Sequence, residues 1–390
     1  MLTSLRIQGF KAVFDASLSI GPFTLIIGRN GAGKSSAIEA IQWLRDATFL
    51  GVGAATSGYV DFEELLNRRS DSLWLDIHFQ RDEDVRPVHY MLRVGTSEPR
   101  VEPTVDYERC VVGRTSGART VVHSRKSKND PAYRWVVGRG GSFTVRDGNE
   151  LGLRYTRTRG IAGAQDLVDF LERAVFLRLS PTAIAAPSRG EQQAWRPLLS
   201  EDGHDLASLL LRMPASRRNS VAQRLSAIFP SVEALDVHAV SNEFRFTVRE
   251  RMRARGGTRS FDIPSSLLSE GMRRLVAIFA LLESDRRPSL LVIEEIENGL
   301  DPWTLEHVLD ALREVSGEIQ ILLTTHSPFL LDHVQPEEVI HVRREKGDTT
   351  YEHVSDLADV ARYAQVLAPG AMYLSDVFRS GAKRGHGDAT

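Results

Sequence analysis

The segment that most constrains this chain is an eight-residue loop near its N-terminus, called the P-loop below. It reads Gly28-Arg29-Asn30-Gly31-Ala32-Gly33-Lys34-Ser35 and fits the pattern G-x-x-x-x-G-K-[ST] at every required position. Glycines in this pattern let backbone N–H groups point at phosphate oxygens, the lysine reaches the β- and γ-phosphates, and the serine hydroxyl ligates Mg²⁺. These residues, together with Ser36, are therefore predicted to bind a nucleoside triphosphate.

The residues on either side of the P-loop favour a strand followed by a helix. Residues 23–27 form a β-prone run of the buried type, and residues 36–44 have helical periodicity. The N-terminus of such a helix faces the bound anion, where its backbone N–H groups and its dipole both favour negative charge. A chance glycine turn would not explain strand, loop and helix in this order.

Composition limits the classes of protein to which this chain can belong. It has 390 residues, 42% of them hydrophobic, which is enough to bury the core of one large domain or two. A net charge of −2 gives no global signature of nucleic-acid binding. Cys110 is the single cysteine, which excludes an intramolecular disulfide framework and a cysteine-based zinc site.

The apolar runs of the chain are short. The longest, residues 275–282, cannot cross a bilayer, and the first 11 residues lack the apolar core of a signal peptide. We therefore expect a cytoplasmic protein that is not inserted in a membrane.

Alternating strands and helices predict an α/β fold with a mainly parallel central sheet. We expect an N-terminal lobe over residues 1–80, an inserted hairpin-rich subdomain over 81–174 and a C-terminal lobe over 175–350. Residues 351–390 are expected to form a helix and a disordered tail. The insert lacks the heptads of a long coiled coil. Residues 237–249 are predicted as one strand.

A second motif consists of two adjacent acids at the end of an apolar strand. Leu290–Ile293 lead directly into Glu294 and Glu295. The first acid can hold Mg²⁺ and the second can orient or deprotonate an attacking water, because neighbouring side chains of a strand point to different sides. We predict Glu294 as a metal ligand together with Ser35, and Glu295 as the catalytic base.

A third motif places a histidine at the end of another buried strand. Residues 321–325 are apolar or threonine, and His326 follows them. Ligands of open α/β sheets bind at the carboxyl ends of the strands, so His326 is expected near the P-loop as a donor to the γ-phosphate. A histidine at a strand end is more often structural, and the prediction depends on the other motifs.

Two further segments complete a recognisable order of motifs. Leu268-Ser269-Glu270-Gly271-Met272, with Ser269 as a plausible N-cap, resembles the ABC signature Leu-Ser-Gly-Gly-Gln. Asn298-Gly299-Leu300-Asp301-Pro302 resembles the D-loop of the same superfamily. Over about residues 1–80 and 175–345, the chain resembles ABC-type ATPases of the RecF, SMC and OLD-like group, most of all the AAA family ATPases of two-component antiphage systems such as Septu and PARIS.

This resemblance implies an ABC-ATPase head with an antiparallel β subdomain, an inserted β-rich subdomain and no long coiled coil. It implies a homodimer in which ATP and Mg²⁺ lie between the P-loop of one subunit and Ser269, Glu270, Gly271 and Asp301 of the other. Glu294 in place of the usual aspartate, and Glu270 and Met272 within the signature, leave the hydrolysis rate open. Gln80, at the end of a strand, is a candidate for the Q-loop glutamine, a further metal ligand, and Gln192 and Gln193 are later alternatives.

Basic residues cluster in two places. One cluster lies within residues 114–139, and the other comprises Arg249, Arg251, Arg253 and Arg255. The clusters are either solvated hairpins or a surface for DNA or RNA, since clustered arginine neutralises phosphates well. The arginines of the second cluster are the nucleic-acid candidates.

The leading prediction is a dimeric ATPase switch of an antiphage defence system that controls a separately encoded nuclease or toxin. Only about 45 residues follow Arg344, too few for a second catalytic domain, so effector chemistry is expected from a partner. The alternatives are a RecF-like repair ATPase that binds DNA in an ATP-dependent manner and a scaffold that ATP stabilises. A transporter motor is disfavoured by the altered signature.

Overall fold

The computed structural model describes residues 1–59, 61–81, 86–97, 102–113, 119–125, 133–137, 141–145, 147–161, 163–189, 197–240, 242–254, 257–375 and 377–379. The chain forms two compact units. The P-loop unit comprises residues 1–169 and those from 323 onwards, and the signature unit comprises residues 170–322. Gln192, Gln193, Arg255 and much of the basic cluster at 114–139 lie outside the described residues.

The α-helices of the described residues are α1 (Lys34–Leu50), α2 (Val52–Thr56), α3 (Ala164–Glu172), α4 (Pro181–Ala185), α5 (Leu206–Arg212), α6 (Ala215–Ile228), α7 (Glu270–Glu283), α8 (Pro302–Val315), α9 (Ala358–Tyr363) and α10 (Pro369–Leu374). Short 3₁₀ turns occupy Phe62–Glu64, Gly152–Thr156, Ser265–Leu267, Pro328–His333, Pro336–Glu338, Val354–Asp356 and Val377–Arg379. None of the described helices combines the length and apolar character needed to cross a membrane.

The strands are β1 (Leu2–Phe10), β2 (Val13–Ser19), β3 (Phe23–Gly28), β4 (Ser72–Phe79), β5 (Val88–Ser97), β6 (Glu102–Val112), β7 (Arg119–Arg125), β8 (Tyr133–Val137), β9 (Gly141–Val145), β10 (Val175–Leu177), β11 (Ser188–Arg189), β12 (Val232–Val240), β13 (Glu243–Ala254), β14 (Gly257–Pro264), β15 (Leu290–Ile293), β16 (Gln320–Thr325), β17 (Val339–Glu345) and β18 (Asp348–His353).

An eight-stranded antiparallel sheet forms most of the P-loop unit. Its strand order is β2-β1-β4-β5-β6-β7-β8-β9. Along β4 the residues alternate, with Leu73, Leu75 and Ile77 fully buried and the residues between them half-buried or exposed. Alternation of this kind is typical of an antiparallel sheet with one face on the core and one towards water.

A buried carboxylate organises the outer part of this sheet. Glu108 is fully buried and accepts hydrogen bonds from the Tyr90 hydroxyl at 2.8 Å and the Trp135 indole N–H at 3.1 Å. It also accepts the backbone N–H groups of Gly152 and Leu153, each at 2.9 Å. A buried carboxylate is stable only when such donors replace water. Glu108 therefore ties three strands to the 3₁₀ turn that follows them.

The P-loop is built on a second, parallel arrangement of strands in the same unit. All six residues of β3 are buried, and β3 runs parallel to β17 from the Leu25–Val339 pair to the Gly28–Val342 pair. β17 continues into an antiparallel hairpin with β18. β3 is predicted by the sequence pattern, whereas neither strand of this hairpin is.

The signature unit contains a parallel pair and an antiparallel sheet. β10 runs parallel to β15, and Gln320 at the start of β16 donates its N–H to the Ser289 carbonyl at 3.0 Å. The antiparallel sheet joins β11, β12, β13 and β14. Helix α7 is apolar and buried over residues 275–282, as predicted.

One secondary-structure prediction in this unit is wrong. Residues 237–249 are not a single strand, because the chain turns between Val240 and Glu243 and pairs β12 with β13. Val237 lies opposite Phe246, so the two halves of the predicted strand face each other. The apolar alternation continues on both sides of the turn, and a period-two pattern alone does not show where a strand folds back.

Candidate functional site

The glycines of the P-loop are required by strands that come from the far end of the sequence. A Cβ atom at Gly28 would lie 2.4 Å from the carbonyl oxygen of Val342 on β17. Gly33 has φ +114°, and a Cβ there would lie 2.8 Å from the Thr349 side chain on β18. L-residues rarely adopt that φ, and the space is already filled. The loop geometry is therefore held by tertiary contacts as well as by its own sequence.

Two buried hydroxyls of β18 anchor the loop. Thr349 Oγ1 lies 3.1 Å from the carbonyl oxygens of both Ala12 and Ala32. The Tyr351 hydroxyl donates to the Gly33 carbonyl at 2.7 Å. Burial raises the pKa of Tyr351, so it remains a neutral donor. Hydrogen bonds from β18 to these carbonyls therefore fix the position of the loop.

The P-loop lysine and the predicted histidine meet in the P-loop unit, although 292 residues separate them. Lys34 is 7% exposed and donates to the carbonyls of Gly28 at 2.6 Å and Arg29 at 3.2 Å. Its Nζ lies 3.1 Å from His326 Nδ1. An ammonium group has no acceptor, so Nδ1 accepts and the imidazole carries its proton on Nε2. The Nε2–H of His326 is thus suited to donate to an anion.

A cavity of about 1010 Å³ borders the exposed side of the loop. Its walls include Arg29 and Asn30 from the loop, Arg343 and Arg344 from β17, and Tyr373 from α10. The volume lies near the upper end of the range of ligand pockets, about 300–1,000 Å³. The lining also includes Glu345, which pairs with Arg343 at 3.7 Å, so both cationic and acidic side chains border the cavity.

The first predicted acid, Glu294, is held in the signature unit. Its N–H donates to the Leu177 carbonyl at 2.9 Å, and its side chain, 10% exposed, pairs with Arg178 at 2.6 Å. The Arg178 N–H in turn donates to the Glu201 carbonyl at 2.8 Å. Sequence reasoning missed Arg178. One sequence signal could have indicated Arg178. It directly follows the apolar strand β10, just as Glu294 directly follows β15.

The second acid, Glu295, is exposed and adopts a backbone conformation that is unusual for its type. Its φ is +50°, which costs a non-glycine residue about 1–3 kcal/mol and is common at functional sites. Asn298 holds it through Nδ2–H to Oε2 at 2.6 Å and N–H to the carbonyl at 3.0 Å. Arg274 lies near Glu270 and Glu295; burial lowers its pKa, and both carboxylates oppose that shift. The carboxylate of Glu295 is therefore presented from a strained turn.

The signature and D-loop motifs contact each other in the signature unit. Ser269 caps α7 by accepting the Met272 N–H at 3.2 Å, which confirms its predicted N-cap role. A Cβ at Gly271 would lie 2.6 Å from the Gly299 carbonyl, so only glycine allows this approach of the two backbones. The two motifs therefore form one surface.

The D-loop aspartate is also a helix cap. Asp301 accepts the Thr304 N–H at 3.0 Å and the Thr304 hydroxyl at 2.6 Å, and these bonds lower its pKa. It therefore stays ionised at neutral pH.

Two large apolar side chains close to the motifs in sequence are exposed, Leu267 at 74% and Trp303 at 78%.

The structure corrects the assignment of Gln80 as a metal ligand. The backbones of Gln80 and Met1 exchange hydrogen bonds at the start of β1. The P-loop lies beyond the other end of this strand, since Ala12 and Ala32 contact the same Thr349 hydroxyl. A strand of this length spans about 30 Å. Gln80 is therefore too far from Ser35 to share an ion with it.

The arginines of the basic hairpin of β13 and β14 lie beside acids of β14 and of the neighbouring strand β12. Arg249 pairs with Asp262 at 2.8 Å and with Asp236 at 3.6 Å, and Arg251 pairs with Glu233. Arg253 is exposed, and Arg255 lies outside the described residues. Ion pairs of this kind neutralise much of the local charge, which weakens the prediction of a nucleic-acid surface.

Comparison with known families decides the class of the protein. Residues 23–332 match the model of the family described as "AAA domain, putative AbiEii toxin, Type IV TA system". The chain belongs to this family. The match runs from the strand before the P-loop to the turn after His326 and so includes the signature, acid pair and D-loop.

Individual relatives are similar in sequence to parts of this chain. The methionine import ATP-binding protein MetN of Haemophilus ducreyi is 30% identical over 141 residues, which is 32% of this chain and 39% of the relative. The Old nuclease of Escherichia phage P2 is 41% identical over 49 residues, 13% of this chain and 8% of the relative. The chain therefore matches well under two thirds of the length of either protein.

Two solved structures share the fold. An SMC head bound to the C-winged helix domain of ScpA has a TM-score of 0.51 and 15% identity, with 90% of this chain and 96% of that chain covered. An Smc head domain with an extended coiled coil, bound to the C-terminal domain of ScpA derived from Pyrococcus furiosus, has a TM-score of 0.50 and 14% identity, with 93% and 99% covered. The predicted ABC-type, SMC- and OLD-like ATPase head is confirmed.

Proposed function

We propose that this protein is an ATP-hydrolysing, homodimeric switch that controls a separately encoded effector, a nuclease or a toxin, in a bacterial antiphage system. The observation that carries the ATPase part is the contact between Lys34 and His326, two residues at opposite ends of the sequence that meet beside a glycine loop. Membership of the AAA family described above supports ATP binding in general.

Each polar side chain has a role in this proposal. Lys34 contacts the β- and γ-phosphate oxygens, and backbone N–H groups of the loop and of the first turn of α1 surround the phosphates. His326 donates its Nε2–H to the γ-phosphate. Glu295 accepts the proton of the attacking water as that water approaches the γ-phosphorus.

The residues proposed for Mg²⁺ fit that ion in their chemistry. Ser35 offers a hydroxyl oxygen and Glu294 a carboxylate, and Mg²⁺ prefers oxygen ligands. The carboxylate of Glu294 is oriented by its ion pair with Arg178 at 2.6 Å. When bound, Mg²⁺ would neutralise charge on the β- and γ-phosphate oxygens. Cytoplasmic location remains an expectation.

The surface formed by Ser269, Gly271, Asp301 and Trp303 supports the dimer. In this proposal the surface meets the P-loop of a second copy, where Ser269 and the N-terminus of α7 contact the γ-phosphate. Trp303 would then bury a large apolar area that is 78% exposed in the single chain. ATP closes the dimer, and hydrolysis reopens it.

The defence role has separate support. The family description names the AbiEii toxin and a toxin–antitoxin system, and one relative is a phage nuclease. We infer from these that the ATP state is read by another protein. Phage plating on cells that carry this gene with its neighbouring gene tests the inference. Plaque counts should fall, and Lys34→Ala should restore them; equal counts with and without the genes would contradict a defence role.

The ATPase part is tested with purified protein. Glu295→Gln should lower turnover by about 100-fold while retaining ATP binding, because it removes the proton acceptor but keeps the size of the side chain. The same variant should accumulate as a dimer with ATP in light-scattering measurements. Glu318→Gln, an exposed acid beyond the end of α8, is the matched control. Turnover at the parental rate in Glu295→Gln would overturn the assignment.

A further inference from the structure

Three potential metal ligands lie together on the water-facing side of the antiparallel sheet in the P-loop unit. They are Asp76 and His78 on β4 and His89 on β5, and one ligand atom of each lies within 4.8 Å of the others. Asp76 and His78 are two residues apart and share a face, and the register places His89 directly opposite His78. Strand geometry therefore brings the three side chains close together.

The distances are close to those of a coordination sphere. His89 Nε2 lies 2.6 Å from Asp76 Oδ1, and His78 Nε2 lies 3.8 Å from the same oxygen. The imidazole rings stack with centroids 4.1 Å apart and planes 15° from parallel. Zn–N and Zn–O bonds of about 2.0–2.2 Å in a tetrahedron place neighbouring ligand atoms about 3.3 Å apart. Binding would replace the hydrogen bond between His89 and Asp76 and would tilt the two stacked rings so that both nitrogens face the ion.

The arginine opposite Asp76 is paired with another acid, so the Asp76 carboxylate contacts the histidines instead. Arg6 lies opposite Asp76 on β1, but its guanidinium makes two hydrogen bonds to Asp15, at 2.9 and 2.8 Å. The side chains of Asp76, His78 and His89 are 23%, 52% and 32% exposed. An ion can therefore enter from solvent and keep a position for water or for a ligand from another molecule.

We propose that Asp76, His78 and His89 form a site for a divalent transition-metal ion of the Zn²⁺ type. Two imidazoles and a carboxylate suit Zn²⁺ and Co²⁺, whereas Mg²⁺ prefers oxygen ligands. Three protein ligands with an open fourth position are the arrangement of zinc sites that act on or bridge to a further group, since purely structural sites are closed. The inference is independent of the proposed ATPase function.

The test uses the full chain without nucleotide and titrates it with Co²⁺, whose visible absorption reports tetrahedral coordination, and with Zn²⁺ by calorimetry. We expect one site per chain that is retained in excess Mg²⁺. His78→Ala and His89→Ala should each weaken Zn²⁺ binding at least about tenfold, and Asp76→Asn should also weaken it. His238→Ala is the matched control, because His238 also lies on a strand at the surface but its hydrogen bond is to Thr247.

Thermal unfolding provides a second measurement that does not depend on absorption. Zn²⁺ should raise the unfolding temperature of the parent and of His238→Ala, because an ion that binds only the folded state stabilises it. It should raise that of His78→Ala and His89→Ala much less, while the unfolding temperatures without metal stay similar. Equal Zn²⁺ affinity in the parent and both histidine variants, or binding by the parent only above about 1 mM, would overturn the proposal.

Discussion

The P-loop and the signature surface differ in how their functional side chains are held. Lys34 is almost fully buried, and its ammonium group contacts carbonyls of its own loop and His326, which comes from the far end of the sequence. Ser269 and Asp301 are exposed, and each accepts a bond from an N–H three residues further along the chain.

This difference shows which part of the chemistry a single chain can perform. A side chain held by distant parts of its own unit is positioned before a ligand arrives. In the proposed dimer, a side chain held by its own helix cap beside an exposed tryptophan contacts the partner copy. We therefore expect single substitutions at the P-loop to change nucleotide binding, and substitutions at the signature surface to change turnover and assembly.

The largest effect is expected from Ser269→Arg. A bulky cation at the centre of a closing interface would remain buried without a partner, at a cost of about 4 kcal/mol, which corresponds to about 1,000-fold. Turnover should therefore be abolished, while ATP binding by the P-loop of the same chain stays close to the parental affinity in calorimetry. Ser216→Arg, at an exposed position in α6, should turn over normally. Loss of ATP binding in Ser269→Arg would show that the two regions are not separable.

Lys34→Ala should weaken ATP binding itself, which Ser269→Arg should leave nearly unchanged. Removal of the cation takes away charge-assisted hydrogen bonds to phosphate worth about 3 kcal/mol, so ATP should bind about 100-fold more weakly. Fluorescent-nucleotide titration measures this directly. Thermal stability without nucleotide should change little in comparison. An unchanged ATP affinity would mean that this lysine does not contact phosphate.

Trp303→Ala should weaken the ATP-dependent dimer about tenfold, since a buried aromatic anchor contributes about 1–2 kcal/mol to an interface. The measurement is the dimerisation constant of the Glu295→Gln background with ATP. Leu211→Ala is the control, because Leu211 is a large apolar residue of the same unit that is 42% exposed on α5. Equal losses in both variants would indicate general destabilisation and not a dimer surface.

The smallest effect is expected from Asn298→Ala. The variant removes the 2.6 Å hydrogen bond to Glu295 Oε2 and leaves the carboxylate in place but less well oriented. Turnover should fall about threefold, in keeping with the net value of one hydrogen bond of about 0.5–1.5 kcal/mol. Steady-state kinetics with the dimerisation constant measured in parallel separates orientation from assembly. A drop as large as that of Glu295→Gln would assign Asn298 a direct chemical role.

Much of the site was predictable because its motifs are local. The strand, loop and helix around residues 28–35, the acids after β15 and the N-cap at Ser269 each depend on residues within about one turn or one strand. The sequence also predicted His326 near the P-loop from the rule that ligands bind at strand ends. The contact with Lys34 agrees with this expectation.

Other features depended on pairings that no local window contains. The β17–β18 hairpin, which makes Gly28 and Gly33 necessary, was missed, and β12 and β13 were read as one strand. Arg178 lies beside Glu294 only because β10 pairs with β15. Gln80 was assigned by its place at a strand end, and the direction of β1 puts that end far from the loop.

By itself, then, the sequence determined that this protein carries a P-loop motif, an acid pair, a capped signature helix and the order of motifs that marks an ABC-type head. These properties follow from backbone conformations and side-chain types set by neighbours along the chain. Only the tertiary structure decided that Lys34 meets His326, that Arg178 holds Glu294, and that Asp76, His78 and His89 lie close together. Such contacts depend on strand register and direction, and these are set by burial of the whole core rather than by any single segment.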